Sequence, residues 1–301
     1  MALAPAPQPA LERVVLAMGT ELRLHLEGPG DLARASQAAL AETARIEGAC
    51  STWDAGSAWS RLNAARGEAV PLASEWLDLL ETTLAWSRRT EGAFDPVLGA
   101  FVQAWGLRRG GGAPVPSELA QARDASGARL LSIDRGAGRV ALRHPAAALE
   151  EGGFLKGYAL DRMKVAAACP AGLLDFGGQL LAWGPPVQAA VADPRARQRP
   201  RLSITLREAS LSTSGTSERG RHILDPRTGQ PCEAWGAVAV VAPTGLEADI
   251  LSTALYVLGP DAGLAWADRH GVAAAFLFND GGLRLSSAFQ SLHPVHLKEQ
   301  P

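Results

Sequence analysis

Five short segments with strand character follow one another through the middle of the chain: Gly172–Phe176, Leu180–Trp183, Val187–Ala192, Leu202–Leu206 and Ser210–Thr213. Mostly turn residues separate them, and such short connections leave no room for the crossover helices of a parallel sheet. This part of the chain therefore reads as a largely antiparallel sheet. Gly177-Gly178 is the hairpin signal between the first two segments, because a two-residue hairpin turn favours residues that tolerate positive φ.

The flanking regions mix strands and helices. Residues from about Arg13 to Glu27 alternate apolar and polar and break at Met18-Gly19-Thr20, as two strands would. Helical periodicity follows from Asp31 to Gly48 and from Ser74 to about Thr90. Asp95 before Pro96 has the form of a cap and a first helical position, which predicts a helix running to about Trp105. Arg109 to Pro116 is Gly/Pro-rich and reads as a surface loop, and weaker strands are expected at Ala128–Ile133 and Arg139–Arg143. Arg221 to Gly229 reads as a short strand into a turn. A strand at Gly236–Ala242, helices at Leu246–Leu258 and Pro260–His270, and strands at Val272–Phe278 and Leu283–Ser286 complete the pattern. The class expected is α+β, with antiparallel or mixed sheets flanked by helices. Residues 1–12, rich in Ala and Pro, are expected to be disordered. Residues 13–290 form one domain or two closely packed lobes, and 291–301 form a tail.

Several functions are disfavoured at this stage. A net charge of −2 gives no electrostatic footprint for nucleic acid, and the run Arg195, Arg197, Arg199, Arg201, set between prolines, reads as a solvated loop. No stretch reaches the roughly eighteen uncharged residues of a membrane span. The N-terminus has no signal-peptide pattern, so the sequence as written is expected in the cytoplasm, with the periplasm the alternative for a chain whose leader has been removed. The three widely spaced cysteines suggest neither a disulfide framework nor a zinc site. His293 and His296 lack the acidic neighbours of a metal site.

The chemistry concentrates in two stretches. In Leu246-Glu247-Ala248-Asp249-Ile250-Leu251-Ser252-Thr253, Asp249 and Thr253 lie one helical turn apart and project together. A carboxylate beside a hydroxyl suits magnesium, which takes oxygen ligands and commonly rests on one or two protein groups plus substrate phosphates. The plainer alternative is a dipole-complementing Asp and a Thr bonded back to a carbonyl. In Glu150-Glu151-Gly152-Gly153-Phe154-Leu155-Lys156, paired glycines precede a helix whose first turn carries a lysine, an arrangement that suits phosphate or is an ordinary start to a helix. It is neither a P-loop nor a dinucleotide fingerprint. Trp53, in a polar loop, is either a core plug or a stacking platform. His222 sits among polar residues as a candidate proton acceptor.

Taken together, these stretches resemble the ApbE-type FAD:protein FMN transferases. The segments occur in family order over about Met18 to Ser286: Met18-Gly19-Thr20, Ser51-Thr52-Trp53, Gly92-Ala93-Phe94-Asp95-Pro96, Gly152-Gly153 with Lys156-Gly157-Tyr158-Ala159 and Asp161, Gly177-Gly178, Thr213-Ser214-Gly215, His222 to Gly229, and Ala248-Asp249 with Thr253. The resemblance implies a fold related to the T-fold and a magnesium-dependent enzyme. That enzyme would move the FMN half of FAD onto a threonine of a target protein and release AMP. It implies Asp249, Thr253 and the Gly153 carbonyl as metal ligands, and His222 as general base. Its FAD cradle would include Met18, Trp53, Ala93, Phe94, Asp95, Glu150, Lys156 and Ile223, which favours stacking for Trp53. Alternatives are an FAD diphosphatase that uses water as acceptor, or a non-catalytic flavin-binding or delivery protein. The sequence departs from the family pattern at Trp53 (usually tyrosine), Glu150 (usually aspartate), Glu151 (usually apolar), Leu155 (commonly alanine) and Ser217 (commonly aromatic). Glu151 adds a negative charge near the expected diphosphate.

Overall fold

The computed structural model describes residues 9–215 and 222–297; Ser217 and Arg221 lie outside them. In chain order the elements are β1 (Ala10–Ala17), β2 (Thr20–Glu27), α1 (Leu32–Cys50), α2 (Ala58–Ala64), β3 (Val70–Pro71), α3 (Ser74–Arg89), α4 (Gly99–Ala104) and α5 (Pro116–Asp124). Then come β4 (Leu131–Asp134), β5 (Arg139–Leu142), α6 (Leu155–Ala167), β6 (Ala171–Phe176), β7 (Gln179–Trp183), β8 (Val187–Asp193), β9 (Ala196–Leu206) and β10 (Ala209–Gly215). The chain ends with β11 (Gly236–Ala242), α7 (Gly245–Leu258), α8 (Pro260–His270), β12 (Ala273–Phe278), β13 (Leu283–Leu285), α9 (Ser287–Gln290) and β14 (Val295–His296).

The main sheet has eight strands in the order β1-β2-β6-β7-β10-β11-β12-β13, and every pairing in it is antiparallel. Two smaller sheets, β14-β9-β8 and β3-β5-β4, accompany it. Alternation along the main strands divides the core in two. Leu22, Leu24, Leu174, Phe176, Val238 and Val240 pack with residues of α1, α3, α6 and α7. Leu211, Ala239, Ala275 and Leu277 pack with Val191, Leu202 and Ile204 of the β8–β9 pair. β11, buried along nearly its whole length, reads as an unbroken apolar run for that reason. Among the described residues no helix is long and apolar enough to cross a membrane.

Two hairpin turns lie side by side at one end of the sheet. Ala17 pairs with Thr20 across Met18 (φ 44) and Gly19 (φ 73), and Phe176 pairs with Gln179 across Gly177 (φ 63) and Gly178 (φ 88). Positive φ at both central positions is the type I′ geometry, whose twist matches that of the strands it joins. The Gly177 N–H donates to the Glu21 carbonyl at 3.0 Å, tying one turn to the other.

Some expected boundaries move. β1 begins at Ala10, inside the stretch expected to be disordered, and β14 pairs Val295 and His296 with Ser203 and Leu202, inside the expected tail. The arginine run is not a loop: most of it forms the first half of β9, with Pro200 tolerated opposite a register irregularity at Ala192. No helix starts at Pro96. Asp95 instead accepts N–H bonds from Val97 at 2.8 Å and from Ala128 at 2.7 Å, holding the segment open until α4 begins at Gly99. Residues from His222 to Gly229 form a turn with one isolated bridge, Leu224 to Pro231, and no strand.

Candidate active site

The first turn of α7 is held from two sides. The Thr244 hydroxyl accepts the Glu247 N–H at 3.1 Å, and the Asp161 carboxylate of α6 accepts the N–H groups of Gly245 at 2.6 Å and Leu246 at 2.9 Å. Those N–H groups have no partner within their own helix, so Asp161 acts as a cap supplied by a neighbouring helix. The helices α6 and α7 touch backbone to backbone here. A Cβ on Gly157 would fall 2.1 Å from the Gly245 carbonyl oxygen, and one on Gly245 would fall 2.3 Å from that of Gly157.

This crossing places Asp249 against the start of α6. Its Oδ2 accepts the Gly157 N–H at 3.0 Å, and the residue is only 5% exposed. Burial raises the Asp249 pKa, while the charge of Lys156 and the Gly157 N–H act against that rise. Thr253 follows one turn later on α7, and a Cβ built on Gly153 would lie 3.2 Å from its Oγ1. Any side chain at 153 would crowd this hydroxyl, so glycine there keeps the space between the two segments open.

These groups line a cleft of about 970 Å³. Gly153, Lys156, Asp249 and Thr253 share it with Thr20 and Gly177 from the two hairpins and with His222 and Ile223. Ser212 and Ser214 of β10 also line it and hydrogen-bond to Ser252 at 3.1 and 2.9 Å, and Ser252 donates to the Asp249 carbonyl at 3.0 Å. Buried Gln179 donates from Nε2 to the Gly245 carbonyl at 2.8 Å, linking the sheet to the same helix start.

At the mouth, Trp53 is 68% exposed and the Arg108 guanidinium lies over its ring at 4.5 Å. Arg108 Nη2 donates to Glu150 at 2.6 Å, and Nη1 donates to the Thr52 carbonyl at 2.9 Å. Burial and then the neighbouring Glu151 raise the Glu150 pKa, and Arg108 opposes them. Glu151 itself does not line the cleft. Its carboxylate accepts the Thr52 N–H at 3.1 Å and the Thr52 hydroxyl, so the acid that departs from the family pattern is turned toward the Trp53 loop. Leu155, another departure, is buried in the core.

The cleft thus brings together Trp53, Glu150, Gly153, Lys156, His222, Ile223, Asp249 and Thr253. Met18 lies two residues before the lining residue Thr20, and its N–H donates to Glu47 at 3.1 Å. Ala93, Phe94 and Asp95 are buried beneath the lining: the Phe94 ring lies 3.6 Å from where a Gly153 Cβ would be and meets Phe154 edge-on. Burial pushes the Asp95 pKa up, against its two N–H bonds. Sequence reasoning missed Arg108, Gln179 and the glycine turn at 110–112, all of which line the cleft. The glycines signalled a loop, but nothing in the sequence indicated the direction in which it folds.

A carboxylate, a hydroxyl and a glycine carbonyl are hard oxygen donors, the donor chemistry that magnesium prefers. Among the described residues no cluster of three His, Cys, Asp or Glu that could hold a metal ion occurs.

The ApbE family profile matches residues 18–277. The chain belongs to the ApbE family. An FAD:protein FMN transferase of Treponema pallidum is 32% identical over 265 residues, covering 77% of this chain and 73% of that protein. The apo flavinyl transferase ApbE of Pseudomonas stutzeri superposes with a TM-score of 0.86 at 29% identity, covering 97% of this chain and 98% of that one. The ApbE protein of Thermotoga maritima gives 0.88 at 27% identity, covering 94% and 99%. Those likenesses agree with the α+β class and the antiparallel sheet. Within the ApbE segments matched in the sequence, Gly157 and Asp161 place α7, while Lys156, Asp249 and Thr253 face the cleft.

Proposed function

We infer that this ApbE-family chain is an FAD:protein FMN transferase that moves the FMN half of FAD onto a threonine of an acceptor protein and releases AMP. The observation that carries this reading is the convergence of Asp249, Thr253 and Gly153 beside Lys156 on one cleft, large enough for a dinucleotide. The names of the relatives support the same reaction.

Asp249, Thr253 and the Gly153 carbonyl would hold magnesium, which when bound supplies charge neutralisation on the diphosphate oxygens. Lys156, in the first turn of α6, adds a positive charge where a diphosphate would lie. Trp53 offers an exposed aromatic face to a planar ring. His222 accepts the proton of the incoming hydroxyl. The threonine oxygen forms a bond to the FMN phosphorus, and the bridging bond to the AMP phosphate breaks, with AMP leaving on its own oxygen.

The test is incubation with FAD, magnesium and an acceptor carrying a candidate threonine, read by in-gel flavin fluorescence and AMP release. Protein-bound flavin with stoichiometric AMP is expected. AMP without bound flavin would mean that water is the acceptor and the chain is an FAD diphosphatase. FAD binding with neither product would mean a delivery protein.

A further inference from the structure

Arg108 carries a charge that the transfer chemistry does not require, yet it lines the cleft beside Trp53. It projects from a short helical turn, Leu107–Arg109, bounded by Gly106 and Gly110. This turn is pinned rather than loose: Gly111 N–H donates to the Gly106 carbonyl at 2.9 Å, Gly112 N–H to that of Trp105 at 2.9 Å, and the Trp105 indole to the Gly229 carbonyl at 2.7 Å. From there one guanidinium covers a face of Trp53, donates to the Thr52 carbonyl and hydroxyl, and pairs with Glu150 at 2.6 Å. Glu151 lies 3.9 Å from the same nitrogen and grips Thr52 from the other side. The residue before Trp53 is therefore held by a cation and an anion at once. Glu150 lines the cleft and Glu151 lies directly behind it, so their charges would oppose a diphosphate unless a cation offsets them.

We propose that Arg108 is a positioning residue for the ring platform: it fixes Trp53 to receive a planar heteroaromatic ring of the dinucleotide and offsets the paired charge of Glu150 and Glu151. The proposal rests on the reading of the cleft as an FAD site. Arg108 covers one face of the indole, and Trp53 remains 68% exposed beside it. Lysine cannot replace this arrangement in full, because a planar fork is needed to stack and to donate to two partners together.

The experiment is calorimetric titration of the full chain with FAD in magnesium, alongside steady-state transfer to a threonine-bearing acceptor. R108A is expected to raise Kd and KM for FAD about tenfold, the loss of one half-exposed cation–π contact together with its hydrogen bonds. Its kcat should stay within about twofold, since the loss is in binding. R108K should recover part of the affinity. A role independent of Trp53 would carry the full loss into a W53A background, whereas coupling through the ring predicts that R108A costs only about twofold there. R108A with unchanged Kd and KM overturns the proposal, as does a full tenfold loss in the W53A background. Should R108A fail to fold, R108Q carries the same comparison. A wild-type chain that does not bind FAD would overturn the reading of the cleft, and this proposal with it; binding by the wild type with R108A unaffected overturns this proposal alone.

Discussion

The floor of the cleft is made by two helices pressed together at glycines, whereas its mouth is made by side chains reaching out of loops. At the floor, Asp249 owes its position to the Gly157–Gly245 crossing and to the Asp161 cap, all buried or half-buried backbone geometry. At the mouth, Trp53 owes its position to Arg108 and Glu151 across half-exposed contacts. Groups that must hold charge at fixed distances sit on packed elements that move little. A surface that would accept a flat ring, as proposed for Trp53, tolerates a softer support, because stacking is less demanding of distance than charge.

Substitutions should separate the two constructions. Gly157→Val strikes the floor hardest, since its side chain would meet a backbone carbonyl; a loss of about 3 kcal/mol or more is expected, read as a fall in the thermal or urea midpoint. A midpoint near wild type would show that the helices can part at little cost. Asp249→Ala should leave the midpoint close to wild type and lower magnesium-dependent transfer by about a hundredfold to a thousandfold, as expected for a charged group in a preorganised site. Full activity in that variant would refute the metal assignment. At the mouth, Trp53→Ala should weaken FAD binding by about tenfold with little change in stability, the value of one aromatic stack. Calorimetry showing equal Kd would move the ring elsewhere.

The smallest effect lies behind the floor, where Glu42 of α1 binds Arg45 and reaches Arg162 of α6. Hydrogen bonds from Arg45 and then Arg162 lower the Glu42 pKa below its ordinary 4.5 despite partial burial. A lowered folded pKa contributes stability that is present above the unfolded value and lost as pH falls through the folded one. Glu42→Gln should therefore cost about 0.5 kcal/mol or less at pH 7, and its midpoint should fall less than that of wild type on acidification below about 4.5. Parallel acid profiles would remove Glu42 from the acid response.

Legibility in the sequence follows the same division. Strands β6, β7, β8, β10 and β11, the second half of β9, and helices α7 and α8 were readable because period and turn glycines are local signals, and the Asp249–Thr253 pair was readable because one helical turn fixes it. The resemblance to ApbE proteins supplied His222 and Gly153, which no local rule singles out as partners of α7. Arg108 was not readable: it meets Trp53 and Glu150 only after a glycine turn folds back, and spacing carries no trace of that. Asp95 was misread for a related reason, since its second partner, the Ala128 N–H, comes from a distant loop. Gly157 and Asp161 were matched as motif residues, but their work on the start of α7 depends on a crossing that composition does not reveal.

The paired turns at Met18–Gly19 and Gly177–Gly178 have a further consequence. Each uses only two residues to reverse a strand whose alternate side chains face opposite layers. One extra residue in the first turn that shifted the pairing of β2 would exchange Leu22, Leu24 and Leu26 with Glu21, Arg23 and His25 across the sheet. This rim can therefore change by replacing letters but not by adding them, and variants that retune the ligand should keep the spacing from Ala17 to Thr20 and from Phe176 to Gln179 unaltered.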